Sequence, residues 1–327
     1  MIINPTFRLL KSLPVPTDYP FDYLEYRTKW INNPKKFIVG DYPIHLDLEL
    51  NTSCNLKCPM CFQSTLKMPQ IYMRLERVKN VIDIASKSGL SSIKFNYRGE
   101  PLMYPHLPEV IAYAKEKGII EVMINTNATL LTANYAKRLI DAGLDLISCS
   151  LDATTEKVYD QIRVGGNFYE TCKNVVAMQV LKKLKNSSTP IVRVQMVEQE
   201  LNKHQVDNFV EFWNEYADEI SVVDLKDVEG KEEDATVLPD WYCSQLWQRL
   251  FVLADGDIIP CCRAIQGKNE KVFVLGSIYQ YKDAIKRAWT GNKMRALRKA
   301  HKEGKSHLIK MCRSCGLRKE VIRQNER

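Results

Sequence analysis

No apolar run in this chain exceeds strand length, so the sequence holds no segment built to span a bilayer. The N-terminus, Met1-Ile2-Ile3-Asn4-Pro5, lacks a basic start, an apolar core and a small-residue cleavage site. No secretory signal is expected from these residues, and the expected location is the cytoplasm. The composition is neither disordered nor fibrous: 45% of residues are hydrophobic and 26% charged, as in an ordinary globular protein. Acidic residues are scarce toward the C-terminus. From Lys282 to Arg327 there are 15 Lys and Arg against 4 Asp and Glu, a net of +11, so the rest of the chain sums to −3 within a total of +8. Helix positions such as Lys293, Arg295, Arg298 and Lys299 read as a solvated face; any ligand of this stretch is expected to be anionic.

What the sequence does have is cysteine. Ten cysteines in a chain of a reducing compartment ask for metal rather than disulfides. Cys54, Cys58 and Cys61 have the spacing C-x3-C-x2-C directly after a predicted strand. Three thiolates hold three irons of a four-iron cluster and leave the fourth iron open. A zinc site would need a distant fourth ligand.

Short β-branched runs alternate with amphipathic stretches, the pattern of β/α units on a parallel sheet. Strands are predicted over 45–51, 92–97, 121–127, 146–152, 191–197 and 219–225. Helices are predicted over 74–88, 107–117 and 132–142, each ending before a glycine that can take the left-handed cap, and over 168–185 and 202–217. The fold class is therefore α/β, a partial (β/α)6 TIM-like barrel over 44–230. Residues 1–43 read as an extension wrapped on the surface, and 231–234 as a linker. From 238 to 327 lies a small cysteine-rich domain with a hairpin turning at Asp255-Gly256 and helices over 281–290 and 293–302.

From His45 to Cys315 the chain resembles a radical S-adenosylmethionine enzyme of the SPASM/twitch group. Asn96-Tyr-Arg-Gly99-Glu100-Pro is similar to the family's glycine-glycine-glutamate motif, with Arg98 in place of the first glycine. Asn125-Thr-Asn127-Ala resembles its Thr-Asn-Gly-Thr segment. Ser150-Leu-Asp152, followed by Tyr159 to Gly166 with Arg163, resembles the segment that contacts the cofactor's ribose and carboxylate. The resemblance implies that Cys54, Cys58 and Cys61 hold a [4Fe-4S] cluster and that S-adenosyl-L-methionine is bound by Gly99, Glu100, Asn127, Ser150, Asp152 and Arg163. Met60, where many members carry an aromatic, is expected against adenine, with Phe62 as a substitute. These segments end successive predicted strands, where β/α barrels assemble their active sites.

Cys243, Cys261, Cys312 and Cys315, separated by 18, 51 and 3 positions, resemble the twitch arrangement around a second, auxiliary [4Fe-4S] cluster. A zinc ribbon has similar spacing. Cys262 is left over as a thiol able to donate hydrogen, unless it is inert or is itself the ligand in place of Cys261. Cys149 and Cys172 read as core residues. The resemblance implies a 5′-deoxyadenosyl radical that abstracts hydrogen from a small polar substrate, carbohydrate- or aminocyclitol-like, ending in oxidation or epimerisation. Peptide modification is the rival, and a zinc-containing nucleic-acid-binding module a remote alternative. Expected partners are the small-molecule substrate and a reductant such as flavodoxin or ferredoxin, with no membrane and no nucleic acid.

Overall fold

The computed structural model describes residues 7–12, 20–65, 69–225, 234–266, 270–271 and 273–325. Within the described part of the N-terminal extension over 1–43, two elements precede the first predicted strand. Strand β1 (Phe7–Lys11) pairs antiparallel with the last barrel strand. Helix α1 (Phe21–Lys36) lies across the N-terminal ends of the barrel strands. There Tyr26 is buried and donates to Glu121 Oε2 at 2.9 Å, and Trp30 meets His45 edge-on at 5.7 Å.

The six predicted strands follow as β2 (His45–Leu48), β3 (Ser92–Lys94), β4 (Glu121–Thr126), β5 (Leu146–Ser150), β6 (Ile191–Glu198) and β7 (Glu219–Asp224), each parallel to the next. Several end earlier than predicted, because the chain leaves the sheet to form the loops of the site. Between them run α2 (Phe62–Thr65), α3 (Leu75–Lys87), α4 (Leu107–Glu116), α5 (Ala133–Asp141), α6 (Glu156–Ile162) and α7 (Phe168–Leu184). The predicted helix over 202–217 is a 3₁₀ turn at Lys203–Gln205 followed by α8 (Val206–Trp213). Gly89, Gly118 and Gly143 close their helices at positive φ, as predicted.

Strand alternation sorts the faces. Leu46, Leu48, Ile93, Val122, Ile124, Ile147, Val192 and Val194 are fully buried against the helices. The inner face carries polar and charged side chains: Asp47 meets Lys94 at 2.8 Å and Arg249 at 3.2 Å, and Arg193 Nε donates to Glu219 at 2.7 Å.

The small domain continues the barrel sheet. Strand β8 (Arg249–Val252) pairs parallel with β2, and β9 (Asp257–Ile259) returns antiparallel through the predicted Asp255-Gly256 turn, with Gly256 at φ +90°. A short hairpin, β10 (Ile265–Gln266) with β11 (Glu270–Lys271), and β12 (Gly276–Ser277) complete the strands. Helices α9 (Ala284–Thr290), α10 (Asn292–Lys302), α11 (Lys310–Arg313) and α12 (Gly316–Asn325) follow. Of the residues expected on a solvated face, Lys293, Arg295 and Lys299 are exposed. Arg298 is not: it is buried, stacks on Trp289 at 4.1 Å, and donates to the Leu246 and Trp289 carbonyls. The linker residues 231–233 fall outside the described residues.

Candidate functional site

At the C-terminal ends of β2 to β5 the loops enclose a cleft of about 210 Å³. Cys54, Cys58 and Cys61 line it together with Met60, as do Gly99, Glu100, Asn127, Ser150 and Arg163. The structure thus gathers residues from four separate loops. The side chain of Phe62 is outside the described set. The cysteine loop is clamped: the Cys61 amide donates to the Cys58 carbonyl at 3.0 Å, and the Ser64 hydroxyl caps that carbonyl at 2.5 Å. Burial pushes all three thiols above the ordinary value, Cys54 to about 11. Buried thiolates need a compensating cation, which iron supplies, so the donor set fits a cluster.

Glu100 is buried and holds its loop from three sides. Its carboxylate accepts from the Leu102 amide at 3.0 Å, the Thr126 hydroxyl at 2.6 Å and the Asn127 amide at 2.8 Å. Burial raises its pKa against the lowering effect of these donors. Gly99 is required by space: a Cβ there would lie 2.0 Å from Asn51 Oδ1 and 2.4 Å from the Asn51 carbonyl oxygen. Gly99→Ala is expected to cost about 1–3 kcal/mol through overpacking. A lower urea midpoint with unchanged slope would register it, and an unchanged midpoint would show that the loop yields freely.

Asp152 departs from its expected role. It does not line the cleft; it is fully buried, accepts from the Val197 amide at 2.7 Å, and pairs with Arg163 at 2.6 Å. It therefore positions Arg163 and does not itself reach a ligand. The Arg163 guanidinium spans 3.9 Å to Cys58 Sγ, and its Nε has no hydrogen-bond partner among the described residues. A spare buried donor beside the cysteines fits an anionic ligand group.

Residues that sequence reasoning missed support the loop from behind. Arg98, which replaces a glycine of the motif, grips buried Glu49 through Nε and Nη2, each at 2.7 Å. Glu49 also accepts the Ala254 amide of the small domain at 2.9 Å. Next to it, the Tyr97 hydroxyl donates to the Cys262 carbonyl at 2.9 Å. The departure from the glycine motif at Arg98 was visible in the sequence; its partner was not.

In the small domain Cys243, Cys261, Cys262, Cys312 and Cys315 line one cavity of about 40 Å³. Cys262 lines this cavity beside Cys261, and is not among the residues lining the barrel cleft. Buried His301 faces the same cavity, with burial lowering its pKa to about 4. All ten cysteines are free. Among the described residues, no three His, Cys, Asp or Glu converge tightly enough to hold a single metal ion.

A sequence model of the radical SAM superfamily matches residues 48–212, and one for SPASM, an iron-sulfur cluster-binding domain, matches residues 243–316. The iron-sulfur match displaces the zinc ribbon. A probable GTP 3′,8-cyclase of Methanococcus maripaludis is 33% identical over 129 residues, 39% of this chain and 43% of the cyclase. The matched segment is thus less than half of that relative's length. SuiB of Streptococcus suis, solved bound to precursor peptide SuiA, superposes over 94% of this chain and 77% of SuiB, with a TM-score of 0.65 at 17% identity. BtrN, solved with AdoMet and 2-DOIA, superposes over 85% of this chain and 94% of BtrN, with a TM-score of 0.53 at 16% identity. At such identities the likeness is one of fold. Among the described residues no helix is long and apolar enough to cross a membrane.

Proposed function

This chain belongs to the radical SAM superfamily and carries a SPASM domain; from that premise we propose that it oxidises a small, polyhydroxylated substrate held in the barrel lumen. When bound, the four-iron cluster and S-adenosylmethionine supply reductive cleavage to a 5′-deoxyadenosyl radical, the hydrogen-abstracting agent. Cys54, Cys58 and Cys61 hold that cluster. Gly99, Glu100, Asn127, Ser150 and Arg163 hold the cofactor, with Glu100 turned to its amino group and Arg163 to its carboxylate. The barrel over 44–230 forms the radical-generating domain and 238–327 the auxiliary-cluster domain, in a reducing cytoplasm with flavodoxin or ferredoxin as electron donor.

One observation carries the substrate class. Asn125 on β4 and Gln195 on β6 flank Ser150 on the inner face of the sheet, with Gln195 directly opposite Ser150. Neither Asn125 nor Gln195 has a side-chain hydrogen-bond partner among the described residues, and each is only partly buried. Both uncharged groups are therefore open to pair with the hydroxyls of a ligand. A substrate with several hydroxyls suits them.

Oxidation is favoured over epimerisation. Loss of a hydrogen atom from a carbinol carbon leaves one further electron and the hydroxyl proton to remove. The proton passes to water. The electron passes to the auxiliary cluster of the small domain, a reading supported by the tie from the Tyr97 hydroxyl to the Cys262 carbonyl. A thiol donor would have to face the lumen, whereas Cys262 lines the cavity. In heavy water, with a panel of sugars and aminocyclitols, Cys262→Ala is expected to form the ketone without deuterium at carbon. Deuterium in the native product that disappears in the variant would establish epimerisation instead. Turnover of peptides alone would establish peptide maturation.

A further inference from the structure

We infer that His301 donates a hydrogen bond to the Cys312 thiolate and thereby raises the reduction potential of the auxiliary cluster. This rests on Cys312 being a ligand of that cluster. His301 sits on α10 in a stretch that reads as a basic surface helix, yet its side chain is buried. The ring bridges two separate cysteines. Its Nδ1 accepts the backbone N–H of Cys243 at 3.2 Å, and its Nε2 lies 3.4 Å from Cys312 Sγ. Trp241 packs on the imidazole at 5.6 Å and holds its orientation.

The first contact decides the second. A nitrogen that faces an N–H must carry a lone pair, so in the neutral ring the hydrogen is on Nε2. Nε2 is then a donor aimed at sulfur. For His301 to be an iron ligand, Nε2 would need the lone pair and Nδ1 the hydrogen, and the Cys243 amide opposes that tautomer. Sulfur gains negative charge when a cluster is reduced, so a donor at sulfur stabilises the reduced form more than the oxidised one. The potential rises, and the small domain becomes a better electron acceptor.

Two substitutions separate the nitrogens. His301→Asn places a side-chain oxygen where Nδ1 was, keeping an acceptor for Cys243 while removing the donor to Cys312. His301→Gln places an amide N–H near the Nε2 position and keeps the donor. Each is introduced into the full chain carrying alanine at Cys54, Cys58 and Cys61, so that only the auxiliary cluster is reconstituted. Its potential is then read by titration monitored by electron paramagnetic resonance. His301→Asn is expected to shift the oxidised-to-reduced equilibrium about tenfold toward the oxidised form, roughly 59 mV for one electron. His301→Gln is expected to stay near the parent. Equal potentials in all three, or an equal fall in both variants, would overturn the inference. Loss of the cluster from His301→Asn would overturn it in favour of ligation by the imidazole. If the parent assembles no cluster at all, the ligand assignment itself fails, and the inference with it.

Discussion

Cys58→Ala is expected to abolish 5′-deoxyadenosine formation from S-adenosylmethionine under dithionite. Cys58 is buried, lines the barrel cleft, and its sulfur faces Arg163 across 3.9 Å. No other cysteine lines that cleft beyond Cys54 and Cys61, so no neighbour can replace the lost ligand. The anaerobically reconstituted variant should hold roughly four irons where the native chain holds roughly eight. Truncating one small buried side chain costs about 1 kcal/mol, so the loss is not one of folding. Chromatographic assay of 5′-deoxyadenosine and iron analysis of the same sample test both expectations. Native rates in the variant would remove the three-cysteine set from the chemistry.

Arg98→Met is expected to destabilise the chain by about 3–5 kcal/mol, because it leaves the Glu49 carboxylate buried without its countercharge. Glu49 is fully buried and receives the Arg98 amide at 3.1 Å, two guanidinium nitrogens at 2.7 Å and the Ala254 amide at 2.9 Å. With the guanidinium gone, two backbone donors remain against one full charge. Adding Glu49→Gln should recover part of the loss, since a neutral amide needs no countercharge. Anaerobic urea unfolding of the two single variants and the double variant measures the coupling. Simple additivity would mean that the pair acts independently. The loop that ends in Gly99 and Glu100 hangs on this grip, so S-adenosylmethionine should also bind more weakly to Arg98→Met.

The parts of the site that the sequence made legible are local. Cys54, Cys58 and Cys61 announce themselves within eight residues, and the helices that end in glycine delimit the β/α units without reference to anything distant. What escaped is non-local. Glu49 and Arg98 are 49 positions apart, and Tyr26 and Glu121 are 95 apart. Their pairing follows only once the sheet register brings them together. Helix α1 was hidden because the side chains it buries, Tyr26 above all, reach polar groups at the barrel's end, so no apolar stripe marks it. Asp152 was read from a motif as touching the cofactor; its burial behind Arg163 is a matter of depth, which spacing does not encode. Arg298 and His301 look like members of a charged surface helix, and only packing against Trp289 and Trp241 reveals them as interior.

The parallel pairing of β8 with β2 also sets an order of events. His45, in the first barrel strand to emerge during synthesis, finds its outer neighbour only when Arg249 has been made. At about 5–20 residues per second, that edge stays open for roughly 10 to 40 seconds on the ribosome. An unpaired strand edge in a nascent chain is a template for association with other chains. Expression that slows between residues 48 and 249 lengthens this window, so slower elongation is expected to lower the yield of folded protein.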